Sequence, residues 1–245
     1  MKTSKTKYHI GCSGFYNPDW KGSLYPADSQ NKDFLKLYSK TFDIVEINST
    51  FYRKPTAKTL QKWVDETQDD FKFFIKIPKT ISHQKPFENK TEEILEFCSY
   101  IRSHLEEKLA GFLFQFPHSF HSTSENIIWL NENLPHDFLI VIEFRHISWW
   151  NDEVFKIFKD KKWIFSGTSF PGNLPEDIIV TNPKIGYYRL HGKPTLYKSP
   201  YSEDFLNDLA EKIKATGKDF YLMFNNTWGI AAIENSLSLK QILKS

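Results

Sequence analysis

Charged side chains occur at the ends of apolar, strand-like stretches in this sequence. In VIEFRHISWW, residues 141–150, an acid, a guanidinium and an imidazole follow a buried-looking run at Glu143, Arg145 and His146. A carboxylate accepts protons and hydrogen bonds, and a guanidinium grips carboxylate or phosphate groups through a planar fork of donors. An ionised side chain that is buried alone is strongly destabilising. These residues therefore need partners of opposite charge, a ligand, or both.

The same pattern recurs in other strand-like stretches. Successive side chains of a strand point to opposite faces, so DIVEIN places Glu46 and Asn48 on one face, and YYRLHG places Arg189 and His191 on one face. In each case the opposite face is apolar. The residues of this polar set are Ser13, Glu46, Asn48, Lys76, Gln115, Glu143, Arg145, Arg189, His191 and Asn225, with Asn226 directly after.

Strand-like and helix-like stretches alternate along the chain. The predicted strands are Tyr8–Gly11, Asp43–Asn48, Phe71–Ile77, Gly111–Phe116, Phe138–Phe144, Trp163–Ser166, Ile185–His191 and Phe220–Phe224. The predicted helices are Lys32–Thr41, Thr56–Glu66, Thr91–Leu109, Glu125–Asn133, Glu153–Lys159, Ser202–Thr216 and Ala231–Leu243. Eight such units in 245 residues favour an α/β fold, a single (β/α)₈ TIM-type barrel over residues 1–245.

One connection breaks the alternation. Between the sixth and seventh strands, FPGNLPEDIIVTNP carries three prolines and no helical period. Because proline removes a backbone donor and clashes inside a helix, we expect the sixth helix to be missing or reduced to a turn.

The polar set should converge at the carboxyl mouth of the barrel, where proteins of this architecture keep their active sites. We expect Lys76, Arg145 and Arg189 to hold an anionic group there. Polar side chains would orient the ligand, and rim aromatics would stack on it. These substrate-binding candidates are Ser13, Asn48, Gln115, Asn225, Asn226, Tyr52 and Trp150.

Two carboxylates and one imidazole are the acid–base candidates. Glu46 and Glu143 come from the second and fifth strands, so we expect them to lie well apart across the mouth. One would act as general base, with His191 as proton carrier. The alternative is a purely electrostatic role, in which the two carboxylates balance the arginines.

A metal or cofactor is not expected. Three fixed cations beside two acids repel a divalent ion, although a metal-dependent phosphodiesterase stays an alternative. Its ligands would come from Glu46, Glu143, His191, His146 and His83. The remaining histidines, which are His9, His104, His118, His121 and His136, are interpreted as surface or loop residues.

Composition limits the function classes. A formal net charge of +2 gives no electrostatic support for bulk nucleic-acid binding. Two cysteines form no disulfide framework. The N-terminus lacks the apolar core of a signal peptide, and no apolar run approaches the ~18 residues of a membrane span. We therefore expect a cytoplasmic protein without a membrane partner, and the oligomeric state stays open.

Several ordered motifs resemble one known family. They are GCSGF, VEINSTFYR, FKFFIKIP, Ser82-His83, FQFP, IEFRHISWW, YYRLHG and FNN. The chain resembles the YecE-like family, domain of unknown function seventy-two, from about residue 8 to residue 243. The resemblance implies a TIM-type barrel and no defined reaction. Its barrel is similar in outline to those of endonuclease IV and xylose isomerase, a likeness that transfers no function.

The chain departs from the family at its sixth strand. The family usually ends this strand with an Asp-Ser-Pro-like turn, whereas this chain has Gly167-Thr168-Ser169-Phe170-Pro171. A mechanism that needs a carboxylate at this strand is therefore not supported.

The predicted function is binding of a small anionic or phosphorylated compound, with metal-independent hydrolase or lyase chemistry on a phosphorylated or nucleotide-like substrate. A non-catalytic protein that binds a ligand or nucleic acid is the first alternative. The metal-dependent phosphodiesterase is the second.

Overall fold

Eight parallel strands form the sheet in a computed structural model that describes residues 6–84 and 89–244. The strands are β1 (Tyr8–Cys12), β2 (Ile44–Ile47), β3 (Lys72–Lys76), β4 (Leu109–Gln115), β5 (Ile140–Glu143), β6 (Ile164–Ser169), β7 (Ile185–Leu190) and β8 (Asp219–Phe224). The hydrogen-bonded order runs β1-β8-β7-β6-β5-β4-β3-β2, which curls the sheet into a nearly closed barrel. The expected α/β barrel is confirmed. Residues 1–5 and 245 lie outside the described residues, so part of the N-terminal stretch in which no signal peptide is predicted, and both ends of the predicted domain, are not described.

Helices cover the outside of the sheet. They are α1 (Phe34–Tyr38), α2 (Ala57–Asp65), α3 (Lys79–Ser82), α4 (Thr91–Leu105), α5 (Ser124–Asn133), α6 (Asp152–Lys161), α7 (Glu203–Thr216) and α8 (Ala231–Ile242). Between β6 and β7, residues 170–184 are all described and contain no helix. The prediction that no helix follows the sixth strand is therefore confirmed, and the prolines of this connection explain it.

Most predicted boundaries differ from the observed ones by one to four residues, and the two differences described next have a clear cause. The helix predicted over Thr91–Leu109 ends at Leu105, because Glu106 adopts a φ of 46° and starts a single 3₁₀ turn. The sixth strand continues to Ser169, three residues past its predicted end. Its last residues, SGTS, show no alternation of apolar and polar side chains, so the sequence does not reveal that the strand continues.

The interior divides into two apolar layers, as the alternation of side chains requires. The layer enclosed by the barrel contains Ile44, Phe74, Leu113, Val141, Ile164, Tyr187 and Met223. The larger layer lies between sheet and helices and is rich in phenylalanine, including Phe73, Phe112, Phe144 and Phe165. The polar set follows the inner parity, so its side chains continue the inner layer toward the carboxyl mouth.

Strands β1 and β2 meet where the barrel closes. The Tyr38 hydroxyl accepts a hydrogen bond from the Cys12 N–H at 2.7 Å and donates one to the Ile44 carbonyl at 3.0 Å. Gly11 permits this approach, because a Cβ there would lie 2.3 Å from the Ile44 oxygen. A buried side chain therefore satisfies backbone groups that lie between the two strands.

None of the helices within residues 6–84 and 89–244 combines the length and the apolar composition that crossing a bilayer requires.

Replacing Tyr38 with Phe should lower the free energy of unfolding by about 1–3 kcal/mol, because a buried N–H and a buried carbonyl both lose their partner. Urea denaturation measures this loss. Tyr100→Phe is the matched control, since it removes a half-buried hydroxyl that bonds only the Pro55 carbonyl at 3.1 Å. A loss for Tyr38→Phe no greater than that of the control would contradict the role given to this hydroxyl.

Candidate functional site at the carboxyl mouth

The barrel brings most of the predicted site residues to one end. Neighbouring strands place Gln115 beside Glu143 and Thr168 beside Arg189 in register. Parallel strands in register point paired side chains to the same face. The polar residues at the ends of β2, β4, β5 and β7 therefore share one small volume above the apolar inner layer.

Arg189 is the centre of this volume. Its Nε donates to Glu46 Oε2 at 2.9 Å and its Nη2 donates to Glu46 Oε1 at 2.5 Å. Its Nη1 donates a short hydrogen bond to Glu143 Oε2. All three side chains are buried. The expectation that Glu46 and Glu143 lie well apart is wrong, because one guanidinium spans both carboxylates.

Glu46 has further donors. The Ser13 hydroxyl donates to Oε1 at 2.6 Å, and the Tyr187 hydroxyl donates to Oε2 at 2.8 Å. Burial and the nearby Glu46 raise the pKa of Tyr187 well above its usual value, so its hydroxyl keeps its proton. Four hydrogen bonds thus satisfy the Glu46 carboxylate, which fits a buried group whose main role is to hold its neighbours in place.

Glu143 is paired with a neutral histidine as well as with Arg189. The Asn225 amide donates to His191 Nδ1 at 2.9 Å, which leaves the ring proton on Nε2, and Nε2 lies 2.9 Å from Glu143 Oε1. Burial and Arg145 lower the pKa of His191 to about 3. Although burial opposes it, Arg145 and Arg189 hold the pKa of Glu143 well below its usual range.

Arg145 lies one layer closer to solvent, with 12% of its side chain exposed. Its Nη1 lies 2.8 Å from Glu143 Oε1 as an ion pair, but the angles do not form a hydrogen bond. Within the described residues, Nη1 has no hydrogen-bond partner. The guanidinium lies 4.1 Å from the centre of the Phe170 ring. Its Nη2 lies 3.3 Å from His191 Nε2, so Arg145 is held by Glu143, His191 and Phe170 while its Nη1 makes no hydrogen bond.

Lys76 is the third cation. Its Nζ donates to Gln115 Oε1 at 2.9 Å and lies 4.2 Å from the centre of the Phe51 ring. Across residues 6–84 and 89–244, no carboxylate lies within ion-pair distance of this ammonium. Burial, and then Arg189, lower the pKa of Lys76 to about 8.

The remaining predicted residues divide into two groups. Asn48 lies on the inner face, and its buried Oδ1 has no partner among the described residues. Tyr52 lies at the rim, 76% exposed, with its ring edge against Phe51. Trp150 and Asn226 are not brought into the same volume. Trp150 packs on Phe165 of the outer layer, and Asn226 donates to the Ser199 carbonyl and to Asn235.

Sequence reasoning missed two residues of the mouth. Thr168 lies on the inner face of β6 beside Arg189, and its buried hydroxyl has no partner in the described part of the chain. Ile164 belongs to the inner layer, and side chains alternate along a strand, so counting in steps of two from Ile164 predicts Thr168 on the same face. His83 was weighed only as a metal ligand. Burial and Lys76 lower its pKa to about 4, and its Nε2 lies 3.4 Å from the Gln115 amide nitrogen.

A family model described as "Protein of unknown function DUF72" matches residues 9–245 of this sequence. The chain belongs to the DUF72 family. Its relatives include the UPF0759 protein YunF of Bacillus subtilis, which is 29% identical over 268 residues, 96% of this chain and 94% of YunF. The UPF0759 protein YecE of Escherichia coli K12 is 32% identical over 113 residues, 46% of this chain and 41% of YecE.

A crystal structure of a DUF72 protein from Thermotoga maritima has a similar fold. It superposes with a TM-score of 0.89 at 30% identity, over 98% of this chain and 100% of that one. The resemblance seen in the motifs is therefore confirmed, and so is the TIM-type barrel. Family membership brings no defined reaction, because function resides in the site and not in the fold.

Replacing Arg189 with Met should lower the free energy of unfolding by about 3–5 kcal/mol, because two buried carboxylates lose their counter-ion. Urea denaturation measures the loss. Adding Glu46→Gln and Glu143→Gln to Arg189→Met should regain roughly half of it, since neutral amides are easier to bury than charges. If the triple variant is less stable than Arg189→Met, charge pairing is not the main contribution of this arginine.

Proposed function

We propose that this protein binds a small phosphorylated compound at the carboxyl mouth of its barrel and acts on it without a metal, as a hydrolase or lyase. One observation carries the proposal. Lys76 is a desolvated ammonium at the mouth, and the described residues place no carboxylate within ion-pair distance of it.

The charges of the mouth support an anionic ligand. Arg189 and Arg145 are paired with Glu46 and Glu143, and His191 is neutral. The charge of Lys76 is left over. A desolvated cation without a counter-ion is unfavourable, and a phosphate group would supply the missing negative charge and raise the pKa of Lys76 again.

Some polar groups at the same end of the barrel make no hydrogen bond within the described residues. The buried Thr168 hydroxyl lacks a partner within the described residues and can donate to a phosphate oxygen, and the Arg145 Nη1 donors, although ion-paired with Glu143 at 2.8 Å, make no hydrogen bond there. Asn48 Oδ1 also lacks a partner and can accept from a ligand hydroxyl. Buried polar groups in folded proteins are normally paired, so unpaired groups at one mouth favour a ligand that pairs them.

Lys76 also fits the proton-transfer step. A general acid works best when its pKa lies near the operating pH, and a pKa of about 8 meets this condition. Bound phosphate would keep the ammonium protonated until a leaving oxygen takes its proton. Glu46, Glu143 and His191 remain candidates, but their burial and mutual pairing suit the electrostatic alternative better.

A non-catalytic anion-binding protein is the second candidate. The observation that favours it is the complete pairing of Glu46, Glu143 and His191 below the accessible layer. The metal-dependent phosphodiesterase is less well supported, because Arg189 already engages both carboxylates that would have to ligate the ions.

Binding should depend on Lys76 and Arg145. Lys76→Met and Arg145→Met should each weaken affinity for inorganic phosphate or a sugar phosphate about tenfold to a hundredfold, because each removes a charge-assisted hydrogen bond. Isothermal titration calorimetry against phosphate, sugar phosphates, nucleotides and short oligonucleotides measures this effect. Phosphorus NMR of the same mixtures detects turnover, whose absence for every ligand that binds would favour the second candidate.

Two variants at the other end of the barrel are matched controls for these measurements. Lys108→Met removes a buried lysine that donates to the Val64 and Thr67 carbonyls, and Arg102→Met removes an arginine that lies over Phe138. Both should leave affinity unchanged. If the mouth variants bind phosphate as well as the controls do, the anion site does not lie at the carboxyl mouth.

Affinity should also depend on pH. The charged groups that act on Lys76 are Arg189, Glu143, Glu46 and Arg145, with His83 nearby. Because its pKa is about 8, Lys76 is a cation below this pH and neutral above it. From pH 7 to pH 9 the affinity for a phosphate monoester should fall about tenfold in wild type, whereas Lys76→Met should show a flat profile. Equal slopes in calorimetry would assign the pH dependence to another group.

A further inference from the structure

We propose that His118, His121 and His146 form a binding site for one late first-row divalent metal ion, with Zn²⁺ as the first candidate. These three residues, the histidine triad, lie in the loops after β4 and β5. This site is separate from the proposed phosphate site and does not depend on it.

The spacing of the ring nitrogens fits one shared ion. One nitrogen from each residue lies within 4.8 Å of the others. Tetrahedral zinc with Zn–N bonds of about 2.0–2.1 Å holds its nitrogens roughly 3.4 Å apart. His118 and His121 are exposed, so small rotations of their rings can close the remaining gap.

The first loop holds its two histidines in place before any ion binds. His118 and His121 flank Phe120, which is fully buried and stacks on Trp149, with the ring centres 5.4 Å apart. The Trp149 indole N–H donates to the Phe120 carbonyl at 2.7 Å. The Thr123 N–H donates to the His121 carbonyl at 2.9 Å. The backbone between the two ligands is therefore anchored to the core.

The second loop orients the third histidine. His146 Nδ1 lies 2.9 Å from the Ser148 hydroxyl and accepts from the Ser148 N–H at 3.3 Å. Nε2 is therefore the ring nitrogen left for a metal, and in the metal-bound tautomer Nδ1 would carry the ring proton and donate it to the Ser148 hydroxyl. The Ser148 hydroxyl also accepts from the Ser122 N–H at 3.0 Å, and the Ser122 hydroxyl donates to the Ser148 carbonyl at 2.7 Å. Metal-ligating histidines usually bond their second nitrogen to such a neighbour, which fixes the ring.

The ring contacts bring the triad together across the two loops. The rings of His121 and His146 are stacked with centres 3.8 Å apart, and His118 meets His146 edge-on at 4.9 Å. Three imidazoles suit zinc, copper, nickel or cobalt, whereas magnesium and calcium prefer oxygen ligands. Tetrahedral zinc would have one position left for water or an external ligand. The ion would join the two loops next to Arg145.

The test uses untagged, EDTA-treated protein and ZnCl₂ as the probe. Calorimetry should show one equivalent of Zn²⁺, and saturating Zn²⁺ should raise the Tm by about 5 °C or more. His118→Ala, His121→Ala and His146→Ala should each weaken zinc binding at least tenfold, because each removes one ligand. Co²⁺ should give the visible absorption of a tetrahedral site, and each variant should lose it.

His136→Ala is the matched control, because His136 is an exposed loop histidine outside the triad. It should bind Zn²⁺ like wild type, and Mg²⁺ should bind to none of the proteins. Far-UV circular dichroism shows whether each variant keeps its fold. Wild type that binds no Zn²⁺, or triad variants that bind it as tightly as His136→Ala, would overturn the proposal. Phosphate binding at Lys76 and Arg145 is measured separately, so either site can fail without the other.

Discussion

The pairing of one guanidinium with two buried carboxylates is the constraint on which the mouth of this barrel depends. Arg189 bonds Glu46 on β2 and Glu143 on β5 while it stands on β7. Strands that are not neighbours in the sheet are thereby tied together across the barrel. Replacing any one partner would leave a buried charge unpaired, so the three residues are stable only as a set.

The set of Arg189, Glu46 and Glu143 determines how the cations closer to solvent are paired. The two carboxylates are satisfied from within the protein, by Ser13, Tyr187, Arg189 and His191. Arg145 forms an ion pair with Glu143 and lies 3.3 Å from His191 Nε2, and its Nη1 makes no hydrogen bond within the described residues. Lys76 contacts the neutral amide oxygen of Gln115 and the ring of Phe51 instead of a carboxylate. The negative and positive charges therefore balance in the buried set, whereas the positive charge of Lys76 is in excess closer to solvent. Such an excess of positive charge would favour an anionic ligand.

Much of this could be predicted from the sequence, because alternation along a strand is a local property. The two-residue period placed Glu46, Glu143 and Arg189 on the inner face, and the prolines after β6 predicted the missing helix. The sequence could not predict which of these charges pair, because the pairs depend on how far each strand extends beyond the apolar inner layer. That is why Glu46 and Glu143 were expected to lie apart, although Arg189 joins them.

Thr168, the histidines of the two loops and the role of Tyr38 were missed for the same reason, which is that each depends on contacts between parts of the chain that are far apart in sequence. Thr168 lies in the part of β6 that follows its last apolar residue, where the sequence shows no strand pattern. Its position beside Arg189 depends on the pairing of β6 with β7. His118 and His121 are distant in sequence from His146, so only the packing of Phe120 on Trp149 brings these loops together. Tyr38 lies on a helix, yet its hydroxyl closes the barrel between β1 and β2.

The central claim is that the mouth holds excess positive charge for a phosphate group, carried by Lys76 and Arg145. Anomalous diffraction from crystals grown with tungstate, a heavy tetrahedral dianion, tests this claim most directly. The account predicts one strong peak within hydrogen-bonding distance of Lys76 Nζ and of Arg145, and its loss in Lys76→Met crystals. Tungstate that binds elsewhere on the protein, with no density at these two side chains at saturating concentration, would contradict it.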